Sequence, residues 1–136
     1  MSRKLIRQAA ADRFDLVKEI GLKLPDVEAV VRYDGSPVLK AGGSFMAGIA
    51  TDESAEADSL VVRCGYEDRG RLLEDAPDTY YLTDFYERYP LVLARMSMLD
   101  EAALRDLLSV SRAMAMEKEE GLLLLPPPQA RHVAAL

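Results

Sequence analysis

The sequence predicts an α+β domain of two layers, in which one antiparallel sheet carries its helices on one face. Apolar residues at three- and four-residue spacing near both ends of the chain are typical of amphipathic helices. Short apolar runs between them, separated by glycine- and proline-containing links, are typical of antiparallel strands. Packing the two layers together buries the apolar side of each. The expected order is helix, three or four strands, helix, two strands, helix.

The first predicted helix has its core near residues 12–22. Asp12 is a candidate N-cap, and Pro25 is expected to end the helix because proline cannot continue it. The apolar residues that set the period are Ile6, Ala10, Phe14, Val17, Ile20 and Leu24.

Residues 27–64 predict a meander of short antiparallel strands. The expected strands cover residues 28–34, 37–41, 44–50 and 59–64. A Gly-Ser-Pro turn at 35–37 separates the first pair, and Gly42-Gly43 is a typical two-residue hairpin link. Residues 51–58 are polar and acidic without periodicity, which indicates a solvated loop.

The second half of the chain predicts three more helices and two more strands. The expected elements are a helix at 67–75, strands at 79–83 and 91–96, and a single helical turn at 84–87. In that turn Asp84 is the expected N-cap, and Glu87 is placed to complete a capping box.

A long final helix is expected to begin at the cap Asp100 and to end at Gly121. Its inward stripe is Leu104, Leu107, Leu108, Ser111, Met114 and Ala115. The domain is therefore expected over residues 1–121, a length typical of one domain. The tail at 122–136 has four leucines followed by three prolines, which favour an extended path. It is expected to dock on the domain or on a partner, or to be partly disordered.

The charge, the cysteine content and the apolar runs of the sequence restrict the kinds of protein that it can be. The chain of 136 residues has a net charge of −6 and a single cysteine, Cys64, so it forms no internal disulfide and a reducing cytoplasm is expected. No apolar run is long enough for a membrane span or a signal peptide. An acidic protein repels a phosphate backbone at long range, so nucleic-acid contact would need a local basic patch.

No catalytic residue, metal site or cofactor is predicted. The only histidine, His132, lies in the tail. Cys64 alternates in phase with Leu60 and Val62, which predicts a buried thiol on the core face. The carboxylates at 52–58 have irregular spacing without the glycine of a calcium loop. An enzyme becomes the better hypothesis only if the fold gathers distant residues such as Asp84, Tyr86 and Arg95 into one pocket.

Basic and aromatic residues are expected on the sheet face opposite the helices. Strand alternation places Arg63 and Arg95 on this face. Arg32 and Lys40 also lie on strand-like runs, and together with Tyr80 or Tyr81 they would give the face a basic and aromatic character. Such a face suits phosphates and stacked bases. The alternative is a wet sheet face that arginines and tyrosines cover without any ligand.

Residues 77–95, PDTYYLTDFYERYPLVLAR, resemble the MmcQ/YjbR family of small bacterial proteins. Supporting pieces lie at residues 24–28, 37–45, 60–64 and 104–108, and the resemblance covers roughly residues 12–116. It implies a two-layer fold similar to that of secretion chaperones. It also implies DNA binding through a "double-wing" motif, which is itself a prediction for the family, and it implies no catalytic residue.

Two functions follow as hypotheses. The first is a nucleic-acid-binding domain, with DNA as the expected partner and with candidate residues Arg32, Lys40, Arg63, Arg88, Arg95 and Tyr81. The second is an acidic protein-interaction module or a homodimeric chaperone-like adaptor without catalytic activity. The acidic surface, the chaperone-like order of elements and the leucine run at 122–125 motivate the second hypothesis.

Overall fold

The computed structural model describes residues 10–117, which form an α+β domain with a six-stranded antiparallel sheet and four helices. In chain order the elements are α1 (Ala10–Gly21), β1 (Val27–Val31), β2 (Pro37–Ala41), β3 (Ser44–Ile49), β4 (Ser59–Arg63), α2 (Tyr66–Asp75), β5 (Tyr80–Tyr81), α3 (Asp84–Glu87), β6 (Leu91–Arg95) and α4 (Glu101–Glu117). A 3₁₀ turn, Met96–Met98, lies between β6 and α4. The tail at 122–136, His132 and the expected helix end at Gly121 lie outside the described residues.

The sheet has the order β1-β2-β3-β4-β6-β5, with every neighbouring pair antiparallel. β2 and β3 form the predicted hairpin, in which Gly42 and Gly43 have φ of 58° and 85°. Two consecutive positive φ values match the right-handed twist of the flanking strands, and glycine reaches them without strain. β6 lies between β4 and the edge strand β5, so β4 and β6 are neighbours in the sheet although β5 separates them along the chain.

The main core fills the space between the sheet and the helices α1 and α4. Its largest fully buried side chains include Phe14 of α1, Leu39, Met46 and Leu60 of the sheet, and Leu104 and Leu108 of α4. Cys64 is buried in this core, as predicted. Ser111 lies inward, as predicted, and its hydroxyl donates to the carbonyl oxygen of Met46 at 2.6 Å, which ties α4 to β3. Helix α2 is packed more loosely, because none of its residues is buried.

The second sheet face also carries a buried apolar cluster. Its members are Val38, Phe45, Val61, Tyr86, Tyr89, Leu91 and Leu93. Tyr86 comes from α3, so the expectation that all helices lie on one face is wrong for this helix. The expectation of a wet second face is wrong as well, because the side chains of α3 and of the following turn join the cluster that covers it.

The acidic loop at 50–58 is tied to this second face rather than simply solvated. The Tyr86 hydroxyl accepts the Asp52 N–H at 3.1 Å, and the Tyr81 hydroxyl accepts the Glu56 N–H at 2.7 Å. Two loop N–H groups therefore bond to tyrosine hydroxyls of the domain instead of to water.

Most element boundaries lie within two residues of the prediction, and the differences that matter concern β1, α3 and β5. β1 stops at Val31, because a tight turn closes between the Arg32 N–H and the Ser36 carbonyl oxygen at 2.8 Å. Asp84 is not the N-cap of α3; Thr83 holds that position, and its hydroxyl bonds Ser54 instead of the helix. The expected strand at 79–83 is only Tyr80–Tyr81.

The Asp100 cap of α4 is confirmed. Its Oδ1 accepts the N–H of Ala103 at 2.8 Å, which satisfies one of the free donors in the first turn. None of the helices within residues 10–117 combines the length and the apolar character needed to cross a membrane.

Candidate functional site

Arg32 lies on the second sheet face but is buried, with 3% of its surface exposed. Its Nη1 donates to the Ile49 carbonyl oxygen at 2.6 Å and to the Ser36 hydroxyl at 3.0 Å. A Cβ at Gly48 would lie 2.8 Å from the Arg32 Nη2, so glycine at this position makes room for the guanidinium. Burial lowers the pKa of Arg32 to about 10, an effect that Asp34 and Tyr86 partly oppose.

Arg63 is more deeply buried, with 1% of its surface exposed. Its Nη1 donates to the Phe45 carbonyl oxygen at 3.2 Å, and its Nε has no hydrogen-bond partner among the described residues. Burial lowers the pKa of Arg63, and the carboxylate of Glu117 partly opposes that shift. Strand alternation predicted the face on which Arg63 lies, but the side chain is not available to a ligand in this conformation.

Arg95 and Tyr81 are the one predicted pair that the structure brings together. The Arg95 guanidinium carbon lies 4.4 Å from the centre of the Tyr81 ring, a cation–π geometry. The same guanidinium forms an ion pair with Glu56 and donates to the Pro77 and Asp78 carbonyl oxygens. Its charge is therefore already compensated by the chain.

Lys40 and Arg88 complete the predicted set. Lys40 is half-buried in β2, whereas Arg88 is exposed with its guanidinium carbon 5.7 Å from the centre of the Tyr89 ring. Among the six predicted residues, only Arg95 and Tyr81 share a hydrogen bond, ion pair or ring contact in the described part of the chain. The geometry does not assemble them into a continuous basic face.

The three residues considered for catalysis, Asp84, Tyr86 and Arg95, do not come together in one pocket. Tyr86 bonds the backbone of Asp52, Arg95 pairs with Glu56, and Asp84 is exposed on α3. Within residues 10–117 no group of three or more histidine, cysteine or acidic side chains is arranged to hold a metal ion.

A furrow lies between α2 and α4. It contains a cavity of about 330 Å³ over the sheet, floored by Cys64 and Tyr80. The α2 wall is Asp68, Arg71, Leu72 and Asp75. The α4 wall is Ala103, Asp106, Leu107 and Val110. We call this feature the α2–α4 furrow.

The furrow continues towards the described end of α4. A second cavity of about 380 Å³ shares Asp68 and Val110 with the first and extends to Met114 and Glu117. The two cavities therefore follow one face of α4 for most of its length, as an elongated ligand would require.

Carboxylates outnumber basic groups along the furrow. Asp68, Asp75, Asp106 and Glu117 line it, and Arg71 is the only basic residue among the lining residues. Arg71 is already paired with Asp68 one helical turn away. The remaining three carboxylates have no ion-pair partner among the described residues, which gives the furrow an acidic rim.

The floor of the furrow is buried and carries one phenol hydroxyl, that of Tyr80. Burial, with smaller contributions from the Asp100 and Asp106 carboxylates and from Cys64, raises the pKa of the Tyr80 hydroxyl. Tyr80 is 6% exposed, and its hydroxyl has no hydrogen-bond partner among the described residues. Burial also raises the pKa of the Cys64 thiol to about 12, so the cysteine is a neutral apolar surface rather than a nucleophile.

Sequence reasoning missed the furrow because it followed only the inward stripe of each helix. A second stripe was present in the sequence: Ala103, Asp106, Val110, Ala113 and Glu117 recur at spacings of three and four residues. Asp68, Leu72 and Asp75 do the same on α2. Only the tertiary fold shows that these two stripes face one space.

No family model matches the chain. No curated protein matches it significantly either. The functional conclusion therefore depends on the geometry of the chain itself.

Proposed function

We propose that this protein is a non-catalytic protein-interaction module whose α2–α4 furrow binds an apolar, positively charged segment of a partner protein. The observation that carries the proposal is the acidic rim around an apolar floor, with three carboxylates that lack an ion-pair partner among the described residues. An amphipathic helix with leucine-type anchors and flanking lysines or arginines has the complementary chemistry.

The apolar part of the furrow supplies the affinity. Leu72, Leu107 and Val110 line the first cavity, and Val110 is 43% exposed. Covering such surface stabilises a complex by roughly 25 cal/mol per Å² of apolar area removed from water. Leu72 is half-buried on α2, a helix with no buried residue, and it would complete its packing against a bound segment.

The carboxylates supply orientation and choice of partner. Asp106 lies one turn before Val110 on α4, and Asp75 lines the same cavity from α2, so a basic side chain beside an apolar anchor has two carboxylates available to it. The unpartnered Tyr80 hydroxyl offers a further hydrogen bond at the floor. Charge complementarity of this kind chiefly sets the association rate and excludes wrong partners.

Fluorescence anisotropy with a defined probe tests the proposal. The probe is a labelled amphipathic peptide of about 14 leucine and lysine residues, titrated at physiological ionic strength to screen distant charges. We expect a micromolar Kd for this peptide and no binding of its leucine–glutamate counterpart. Asp106→Lys should weaken binding at least tenfold.

Asp15→Lys is the matched control, because it makes the same charge change on an exposed site of α1, away from the furrow. Equal loss of binding in Asp106→Lys and Asp15→Lys would show only general attraction to an acidic protein. That result, or the absence of any binding by the wild-type protein, would overturn the proposal.

The nucleic-acid-binding role implied by the family resemblance stays a prediction. The burial of Arg32 and Arg63 and the pairing of Arg95 leave Arg88 and Lys40 as its more accessible candidates. Titration of labelled duplex and single strands at two salt concentrations tests it, since phosphate contacts weaken steeply with salt. Loss of binding in Arg88→Ala would support this role, whereas no binding at low salt would reject it.

Membership of the MmcQ/YjbR family and a YjbR-like topology belong to the same proposal. The order of elements supports them: one helix, four strands, a helix, two strands with α3 between them, and a final helix. A cytoplasmic location, expected from the single cysteine, also stays a prediction.

A further inference from the structure

Strand β1 forms one edge of the sheet, and the backbone groups along its outer side bond no other residue in the described part of the chain. The Arg32 N–H and carbonyl both bond within the turn to β2, and the Asp26 carbonyl accepts from Gly42. Because antiparallel bonding alternates along a strand, the even-numbered residues of β1 bond to β2. Val27, Ala29 and Val31 therefore direct their N–H and C=O groups away from the sheet.

Within residues 10–117 this edge has few of the devices that protect the edges of other sheets. β1 has five residues, contains no proline, shows no register shift against β2, and carries only one charge, Glu28. Val31 is 66% exposed, and Tyr33 just beyond the strand is 74% exposed. The opposite edge, β5, is only two residues long and offers little for a partner to pair with.

We infer that β1 pairs antiparallel with β1 of a second copy of this chain, centred on Ala29, to form a two-fold symmetric dimer. In this register Val27 of one copy faces Val31 of the other, and Ala29 faces its own equivalent. Each of these residues would donate one hydrogen bond and accept one across the interface. The two sheets would then form one continuous sheet.

Self-pairing is favoured because this register creates no clash of charge. Glu28 lies opposite Val30 of the partner copy, whereas like charges directly opposite would destabilise the pair. Val31, exposed in the single chain, gains an apolar cross-strand neighbour. A closed two-fold arrangement uses the β1 edge of both copies and leaves only the two-residue β5 edges, so it does not propagate into a fibre. The inference goes beyond the proposed function, because β1 and the α2–α4 furrow lie on different parts of the sheet.

Disulfide trapping tests the register directly. Opposed residues of a hydrogen-bonded pair have Cα atoms about 5.5 Å apart, a distance that a disulfide spans. Under mild oxidation Ala29→Cys should form a covalent dimer, while Ala102→Cys, exposed on α4, should not. Cys64 is buried and is present in both variants, so any cross-linking through it contributes equally to the two results.

Light scattering on the unmodified full chain, from about 10 μM to 1 mM, tests the dimer itself. We expect a mass near twice 15.0 kDa at the upper end. Val31→Lys, and separately Ala29→Pro, should weaken association at least tenfold. Val31→Lys keeps the result interpretable if the proline variant fails to fold, because Val31 is exposed in the single chain.

A wild-type protein that stays monomeric over the whole range would overturn the inference. So would a dimer that Val31→Lys leaves unchanged, or cross-linking by Ala29→Cys no greater than that of Ala102→Cys. None of these results bears on peptide binding at the furrow, so the two proposals fail separately.

Discussion

Arg95 forms a bidentate ion pair with Glu56, in which the Arg95 Nε and Nη2 each donate to a different carboxylate oxygen at 2.8 Å. The pair joins β6 to the acidic loop, 39 residues earlier in the chain. Arg95 also donates to the carbonyl oxygens of Pro77 and Asp78, so one guanidinium connects three segments. A residue predicted to bind phosphate therefore has a structural role in the isolated chain.

Glu56→Gln should lower the free energy of unfolding at pH 7 by up to about 1 kcal/mol, as for other half-exposed ion pairs. The hydrogen bond from Arg95 holds the pKa of Glu56 below its ordinary 4.5. A carboxyl with a lowered folded pKa stabilises above its unfolded pKa, and that contribution is lost as the pH falls through the folded value. Urea unfolding from pH 7 to pH 3 should show the gap between variant and wild type closing.

The control for this comparison is Glu53→Gln, an exposed glutamate in the same loop with no hydrogen bond or ion pair among the described residues. Its unfolding free energy should match the wild type at each pH. A gap for Glu56→Gln that stays constant down to pH 3 would contradict the pairing as its cause.

Arg63→Met should leave the protein as stable as the wild type or more stable. The substitution removes a buried charge that has no carboxylate hydrogen-bonded to it among the described residues, and it keeps most of the side-chain volume. Arg63→Ala should instead cost about 2–5 kcal/mol, by analogy with other large-to-small core substitutions that leave a cavity. Urea denaturation of the wild type and both variants measures the three free energies of unfolding and checks their expected order. A methionine variant as unstable as the alanine variant would show that the charge itself holds the second face together.

The Cys64 thiol should react very slowly in the folded protein. Its pKa is raised from 9.0 to about 12, and only the thiolate attacks. At pH 8 the thiolate fraction is therefore lower by a factor of about 1,000 than for an exposed thiol. Labelling with a disulfide reagent should be at least that much slower in buffer than in urea. Rapid labelling of the native protein would reveal that the α2–α4 furrow opens to its floor.

Ser111→Ala should destabilise the protein by about 1 kcal/mol, because the Ser111 hydroxyl is the group that bonds the Met46 carbonyl oxygen inside the core. Ser109→Ala, on the exposed side of the same helix, is the matched control and should change stability by less than about 0.5 kcal/mol. Thermal unfolding followed by circular dichroism compares the two. Equal shifts in Tm would show that helix propensity, rather than this hydrogen bond, sets the effect.

Local patterns in the sequence were sufficient for most of the secondary structure. The predicted strand at 37–41 has the bounds of β2, and the Gly42-Gly43 link has the positive φ values that its residue type favours. Asp100 caps α4 as its position before an apolar periodic segment predicts. In each case the deciding interaction lies within a few residues along the chain, so sequence carries it.

The sequence by itself determined most of the elements, the inward apolar stripes of the first and last helices and the burial of Cys64, because alternation and helical period depend only on backbone geometry. It could not determine whether the second sheet face is wet. α3 and the loop at 50–58 cover that face through Tyr86 and Tyr81, which contact residues 25 to 34 positions away. The availability of Arg32, Arg63 and Arg95 depends on distant partners of this kind. The packing of α2 beside α4 likewise brings Asp75 and Asp106 to the lining of one cavity. Alternation places a side chain on a face, but only the packing of distant segments decides what covers it.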